Sequence, residues 1–126
     1  MKIEIADRIK DILVLEDEAL VALQIEDLAR EMGAQNVHVC GNLAEGLEVA
    51  KNAQLDCALL DLMLPDGRST EIADILLTRG IPFVFSTGSG VDDLPERHRS
   101  RPLITKPFAD DDLKRILLDA CYQSNA

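Results

Sequence analysis

Tryptophan is missing from the 126 residues, and aromatic residues amount to 1 Tyr and 3 Phe. A core built by this chain is therefore aliphatic. Cysteine is sparse and odd in number. Cys40, Cys57 and Cys121 cannot all pair within one chain, and no CxxC spacing suggests a zinc site or a redox pair. Scattered thiols of this kind fit a reducing compartment, where they serve as small apolar fillers. No apolar run approaches the length of a membrane span, and the opening MKIEIADRIKD mixes charge among its Ile residues, which excludes a secretory signal. Cytoplasmic residence is the expectation. Positive charge is scarce as well: 13 Lys+Arg against 23 Asp+Glu gives a net charge of −10. That balance argues against direct binding to nucleic acid or anionic membranes, both of which reward basic surfaces. With only 7 Gly and 5 Pro beside 47% apolar residues, coiled-coil, collagen-like and disordered classes are excluded too.

What is present alternates. Ile12-Leu13-Val14-Leu15 is a short apolar run of the kind that forms a strand buried on both faces. Val21, Ile25, Leu28 and Met32 then recur at helical spacing, with Gly33 as a stop. Val37–Cys40 reads as a second strand, and Leu43, Leu47 and Ala50 mark a second helix. Cys57–Leu60 is a third strand running into Asp61, followed by a Pro65-Asp66-Gly67 turn and a helix carrying Ile72, Ile75 and Leu76. Phe83–Phe85 and Pro102–Thr105 are the fourth and fifth strands; a last helix, striped by Leu113, Ile116, Leu117 and Ala120, starts near Ala109. Between Gly88 and Arg101 only Val91 and Leu94 are apolar anchors, so a weak or absent helix is expected there. No repeat, low-complexity segment or linker interrupts the pattern. One domain over residues 1–126, with its core about 11–122, is predicted.

Five strands alternating with helices imply a parallel sheet covered on both faces, an α/β fold. Ligands of such sheets gather outside the carboxyl ends of the strands. Those ends carry Glu16-Asp17-Glu18, Asp61, Ser86-Thr87 and Thr105-Lys106. Clustered carboxylates repel one another, and a hard divalent cation such as Mg²⁺ relieves this. A carboxylate nucleophile, a metal, an ammonium and a hydroxyl together are what phosphoryl transfer to Asp requires.

LVLEDE (13–18), LLDLMLPDG (59–67), FSTG (85–88) and TKPF (105–108), in this order, resemble the receiver domain of two-component response regulators, of the stand-alone type. The resemblance covers roughly Ile12 to Cys121. It implies a flavodoxin-like (βα)₅ doubly wound sheet of order 2-1-3-4-5, with an irregular or short fourth helix. It implies Asp61 as phospho-acceptor, Asp17 as a direct Mg²⁺ ligand, Glu16 as its acidic neighbour and Met63 as donor of a backbone carbonyl to the metal. It also implies Thr87 and Lys106 as the hydroxyl and cation that meet the phosphoryl group, a cis Lys106–Pro107 peptide, and Gly88 as a small residue beside the group. The expected partner is a sensor histidine kinase or histidine phosphotransfer protein, with a downstream protein partner, and the chain is expected not to be a turnover enzyme. Only Tyr122 to Ala126 follow Cys121, so no output domain is expected.

The pattern has departures. The family's aromatic switch residue, three before the lysine, is Leu103, which cannot swing in the same way. With PFVFSTG and LPERHRSRPLITKPF, this resembles in part the FAT GUY subgroup, associated with alphaproteobacterial signalling and kinases of the HWE type, although Ser86 replaces its Ala and Gly90 its Tyr. Singly, Asp61 reads equally as a turn former and Lys106 as a solvated loop residue. Asp66 reads as a turn former, His98 as a solvated surface residue, His38 as lying at the sheet surface and the Arg97–Arg101 run as solvated or a partner contact. Two other functions fit less of the pattern. A pseudo-receiver, never phosphorylated, would act as an interaction module. A haloacid-dehalogenase-type phosphatase needs a second Asp where Met63 stands.

Overall fold

Short β-branched and aliphatic runs alternate with amphipathic stretches, and the computed structural model turns each into the element its pattern suggests. It describes residues 9–88 and 94–124, with side chains as far as 121. In chain order the elements are β1 (Asp11–Leu15), α1 (Ala19–Glu31), β2 (Asn36–Cys40), α2 (Leu43–Asn52), β3 (Cys57–Asp61), β4 (Met63–Leu64), β5 (Gly67–Arg68), α3 (Thr70–Arg79), β6 (Phe83–Thr87), a 3₁₀ turn (Glu96–His98), β7 (Leu103–Thr105) and α4 (Asp110–Ser124). Five strands form one parallel sheet in the order β2-β1-β3-β6-β7. This is the expected flavodoxin-like order. Around Pro65-Asp66, β4 and β5 pair as a small antiparallel hairpin, where the sequence suggested only a turn.

Alternation along the strands sorts the core into two layers. Ile12, Val14, Cys57, Leu59 and Val84 pack with Ile25, Leu28, Leu113 and Leu117 of α1 and α4. Leu13, Leu15, Ala58, Leu60, Phe83 and Phe85 pack with Ala50, Ile72 and Leu76 of α2 and α3. Each fully buried Leu or Ile contributes about 1.5–3 kcal/mol of transfer free energy, which makes these layers the main hold on the strand ends. Ile9 is buried as well, so packing begins slightly before the expected core. His38 lies half-buried on the edge strand β2, in keeping with the sequence reading.

The start of α2 is specified by side chains. Asn42 caps α2, its side chain accepting from Glu45 N at 2.9 Å, while Glu45 Oε1 accepts from Gly41 N at 3.0 Å. Asp66 does more than form a turn: its Oδ2 accepts from Leu43 N at 3.1 Å and ties the hairpin to the start of α2. Gly80 ends α3 in the left-handed conformation, φ 74°.

The stretch before β7 corrects one expectation. Within the described residues 94–101 there is a single 3₁₀ turn, while Gly90 and Val91 lie outside the described residues. His98 was expected at the surface, yet its side chain is 0% exposed. Its ring meets Phe83 and Phe85 edge-on at 5.9 and 5.7 Å, and Nε2 lies 2.7 Å from Asp74 Oδ1 on α3. An apolar seat and a carboxylate partner together offset the cost of burying an imidazole. Arg97 and Arg99 around it are exposed, as expected of a solvated run, and yet each arginine has a partner. Arg97 forks onto Asp74 at 2.9 and 2.8 Å, Arg99 Nε donates to Leu94 O at 3.1 Å, and the Arg101 guanidinium lies 5.8 Å over the Phe83 ring.

Candidate functional site

Strand alternation places the site side chains before any tertiary detail does. Ile12, Val14 and Glu16 share one face, as do Cys57, Leu59 and Asp61, and β1 lies beside β3 in parallel register. Both acids therefore emerge on the α1 side, at the carboxyl edge of the sheet. Glu16 and Asp61 are buried, 2% and 6% exposed, whereas Asp17 is exposed. A carboxylate oxygen from each of Glu16, Asp17 and Asp61 lies within 4.8 Å of the others.

Lys106 arrives from the end of β7. Its backbone N–H donates to Thr87 O at 2.8 Å, which ties β7 to the tip of β6. Its Nζ stands 2.8 Å from Glu16 Oε1, 3.1 Å from Asp61 Oδ2 and 3.5 Å from Glu18 Oε1. The Lys106–Pro107 peptide is cis. Glu18 was not among the candidate site residues, although the LEDE run contained it. Its backbone N–H also donates to Glu16 Oε2 at 3.0 Å, fixing that carboxylate.

These contacts set the electrostatics. Burial pushes the Asp61 carboxyl above the usual carboxylate range; the hydrogen bond and charge of Lys106 oppose this, the Glu16 charge adds to the rise, and the Met63 N–H opposes it. For Lys106, burial works to lower the ammonium, but hydrogen bonds to Glu16 and Asp61, reinforced by their charges, hold it well above the ordinary lysine range. Asp61 is thus a basic, partly desolvated carboxylate held beside a permanent cation.

Thr87 stands at the tip of β6, its backbone carbonyl bonded to Lys106 N, and is 2% exposed. By alternation it shares the face of Phe83 and Phe85. Met63 follows on β4 and is half-exposed. Gly88 is exposed, and a Cβ built on it would meet nothing within 4 Å among the described residues. Beside Lys106 a cavity of about 260 Å³ is lined by Glu18, Val21, Gln24, Lys106, Pro107 and Phe108. Hard oxygen donors at this spacing fit a small divalent cation, so the donor set suits Mg²⁺. Asp66, by contrast, serves α2 through its bond to Leu43 N.

Similarity to known proteins covers most of the chain. The family described as response regulator receiver domain matches residues 12–118. The chain is 30% identical, over 93% of its length, to the phyllosphere-induced regulator PhyR of Methylorubrum extorquens, of which it covers 45%. It spans about half the length of the curated relatives it matches. Among solved structures, SdrG of Sphingomonas melonis Fr1 superposes with a TM-score of 0.79 at 35% identity, covering 91% of this chain and 98% of that one. The BeF3-activated conformation of SdrG, from Pseudomonas melonis Fr1, gives 0.72 at 36% identity, covering 86% and 93%.

Proposed function

This chain belongs to the response regulator receiver domains of two-component systems, and from that premise we propose that it accepts a phosphoryl group on Asp61. The observation that carries the reading is the pairing of a buried, basic Asp61 carboxylate with Lys106 Nζ at 3.1 Å, beside Glu16 and Asp17. A histidine kinase or histidine phosphotransfer protein presents phosphohistidine. An Asp61 oxygen bonds to phosphorus as the bond from phosphorus to the donor nitrogen breaks, and the imidazole leaves with the electron pair. Glu16, Asp17, Asp61 and the Met63 carbonyl would hold Mg²⁺, which when bound offsets the negative charge on the phosphoryl oxygens. Lys106 needs only a small shift of Nζ to follow the charge from the carboxylates to the phosphoryl group, and the Thr87 hydroxyl donates to it. Gly88 adds no side chain beside the group.

Product and acceptor are the same residue, so the chain is a stoichiometric acceptor that returns by hydrolysis and not a turnover enzyme. Its output is a change in partner binding, or a role as phosphate sink or relay. The BeF3-activated form of a 36% identical relative supports this reading. Labelling by acetyl phosphate tests it: Mg²⁺-dependent incorporation that disappears in Asp61→Asn is expected. A chain that stays unlabelled by acetyl phosphate and by a phosphohistidine donor is a pseudo-receiver.

A further inference from the structure

We propose that His98 is a positioning residue that carries the state of the Asp61 site to helix α3, taking the part that an aromatic side chain at Leu103 would otherwise play. The inference rests on the acceptor reading above. Its starting point is a confined ring. Phe85 lies two residues before Thr87 on the same face of β6, with Phe83 two residues further back. On one side Leu103 stands opposite Phe85 in the parallel register. On another the His98 ring meets Phe85 at 5.7 Å and 68°, and Phe83 at 5.9 Å and 74°. Phe83 and Phe85 belong to the same packed layer as Ile72 and Leu76 of α3, and Leu103 packs against it.

His98 has one polar anchor, the 2.7 Å contact from Nε2 to Asp74 Oδ1. Asp74 accepts only, so Nε2 carries the donated proton. Nδ1 is buried and, among the described residues, has no hydrogen-bond partner. The imidazole is therefore fixed at one point on α3 and otherwise bears on the β6 aromatics. Arg97, its neighbour in the 3₁₀ turn, forks onto the same carboxylate, so the turn and α3 are fastened at adjacent residues.

A close-packed interior responds to displacement by switching between discrete arrangements and not by compressing. When Thr87 turns toward a phosphoryl group on Asp61, the β6 tip and Phe85 shift with it. Leu103 is aliphatic and unbonded, whereas His98 is tethered. Its ring must either follow Phe85 and pull on Asp74 or give up the 2.7 Å bond. In both cases the change reaches α3 and the 94–101 segment.

The test is ¹H–¹⁵N and His98 ring spectroscopy of the full chain with Mg²⁺, with and without beryllofluoride. In the unaltered chain, shifts are expected near Asp61 and Thr87 and also at the His98 ring, Asp74 and the 94–101 segment. Asp74→Ala, which removes the shared anchor of His98 and Arg97 at a half-exposed position of α3, should retain the shifts at Asp61 and lose those on α3. Asp74→Asn keeps an acceptor oxygen and should restore them. Unchanged α3 shifts in Asp74→Ala, or shifts at Asp61 without any at His98, would overturn the inference and leave the acceptor reading standing. No response at Asp61 would overturn both.

Discussion

Ser86 stands opposite Asp61 in the sheet register, yet its buried hydroxyl has no hydrogen-bond partner among the described residues. A desolvated hydroxyl that bonds to nothing costs about 1–3 kcal/mol. Ser86→Ala should therefore leave stability unchanged or raise it by about 1 kcal/mol; a clear fall in the urea midpoint would show that the hydroxyl has a partner after all. Asp74 gives the opposite case. The hydrogen bond from Arg97 lowers its carboxyl below the usual range, burial opposes this, and the His98 bond adds to the lowering. A depressed folded-state value contributes stability that is present above the unfolded value, about pH 4, and is lost as the pH falls through the folded one. Asp74→Asn should flatten that acid limb in a pH series of thermal melts. Because the carboxylate is 42% exposed, solvent screening keeps the effect small. At this scale the sequence was legible where chemistry follows a strand. Glu16, Asp17, Asp61 and Lys106 each stand just past an apolar run, and the sheet brings them together. His98 was not legible, because its burial depends on Asp74, 24 positions away, and a single 3₁₀ turn leaves no periodic trace.

Elements were read well where their pattern was long. The runs at Ile12–Leu15, Cys57–Leu60 and Phe83–Phe85 are too short for helices and too apolar for loops, and all three are central strands. Hairpin β4–β5 escaped notice because pairs of two residues have no alternation to detect. Gly46 shows how tightly neighbouring elements meet. A Cβ at this α2 position would lie 2.8 Å from Ile72 Cδ1 and 2.9 Å from Leu15 Cδ1. Both residues are 1% exposed, so their terminal methyls would have to move within a packed layer. Alanine gains about 1 kcal/mol in helix propensity, but overpacking costs about 1–3 kcal/mol. Gly46→Ala is thus expected to lower stability by about 1 kcal/mol in denaturant titration, and a gain would mean that α2 and α3 can slide apart.

For the whole molecule the dominant feature is charge. The chain carries −10, and three of its acids converge on one edge. A cation that binds only the folded state stabilises it by mass action, about 2.7 kcal/mol at a hundredfold excess over Kd. At that excess Mg²⁺ should raise the melting temperature by roughly 10 °C, and Asp17→Asn should remove most of the rise. Melting curves that superpose with and without millimolar Mg²⁺ would count against the metal site. Among the described residues, no helix is long and apolar enough to cross a membrane.

The three thiols divide between the two sides of the sheet: Cys40 packs with α2 and α3, and Cys57 and Cys121 with α1 and α4. None forms a disulfide, all are at most 3% exposed, and burial, with the Glu45 charge, pushes Cys40 up to about 11. An alkylating reagent can reach them only through breathing of the layer above, so their separate modification rates clock the opening of each side independently.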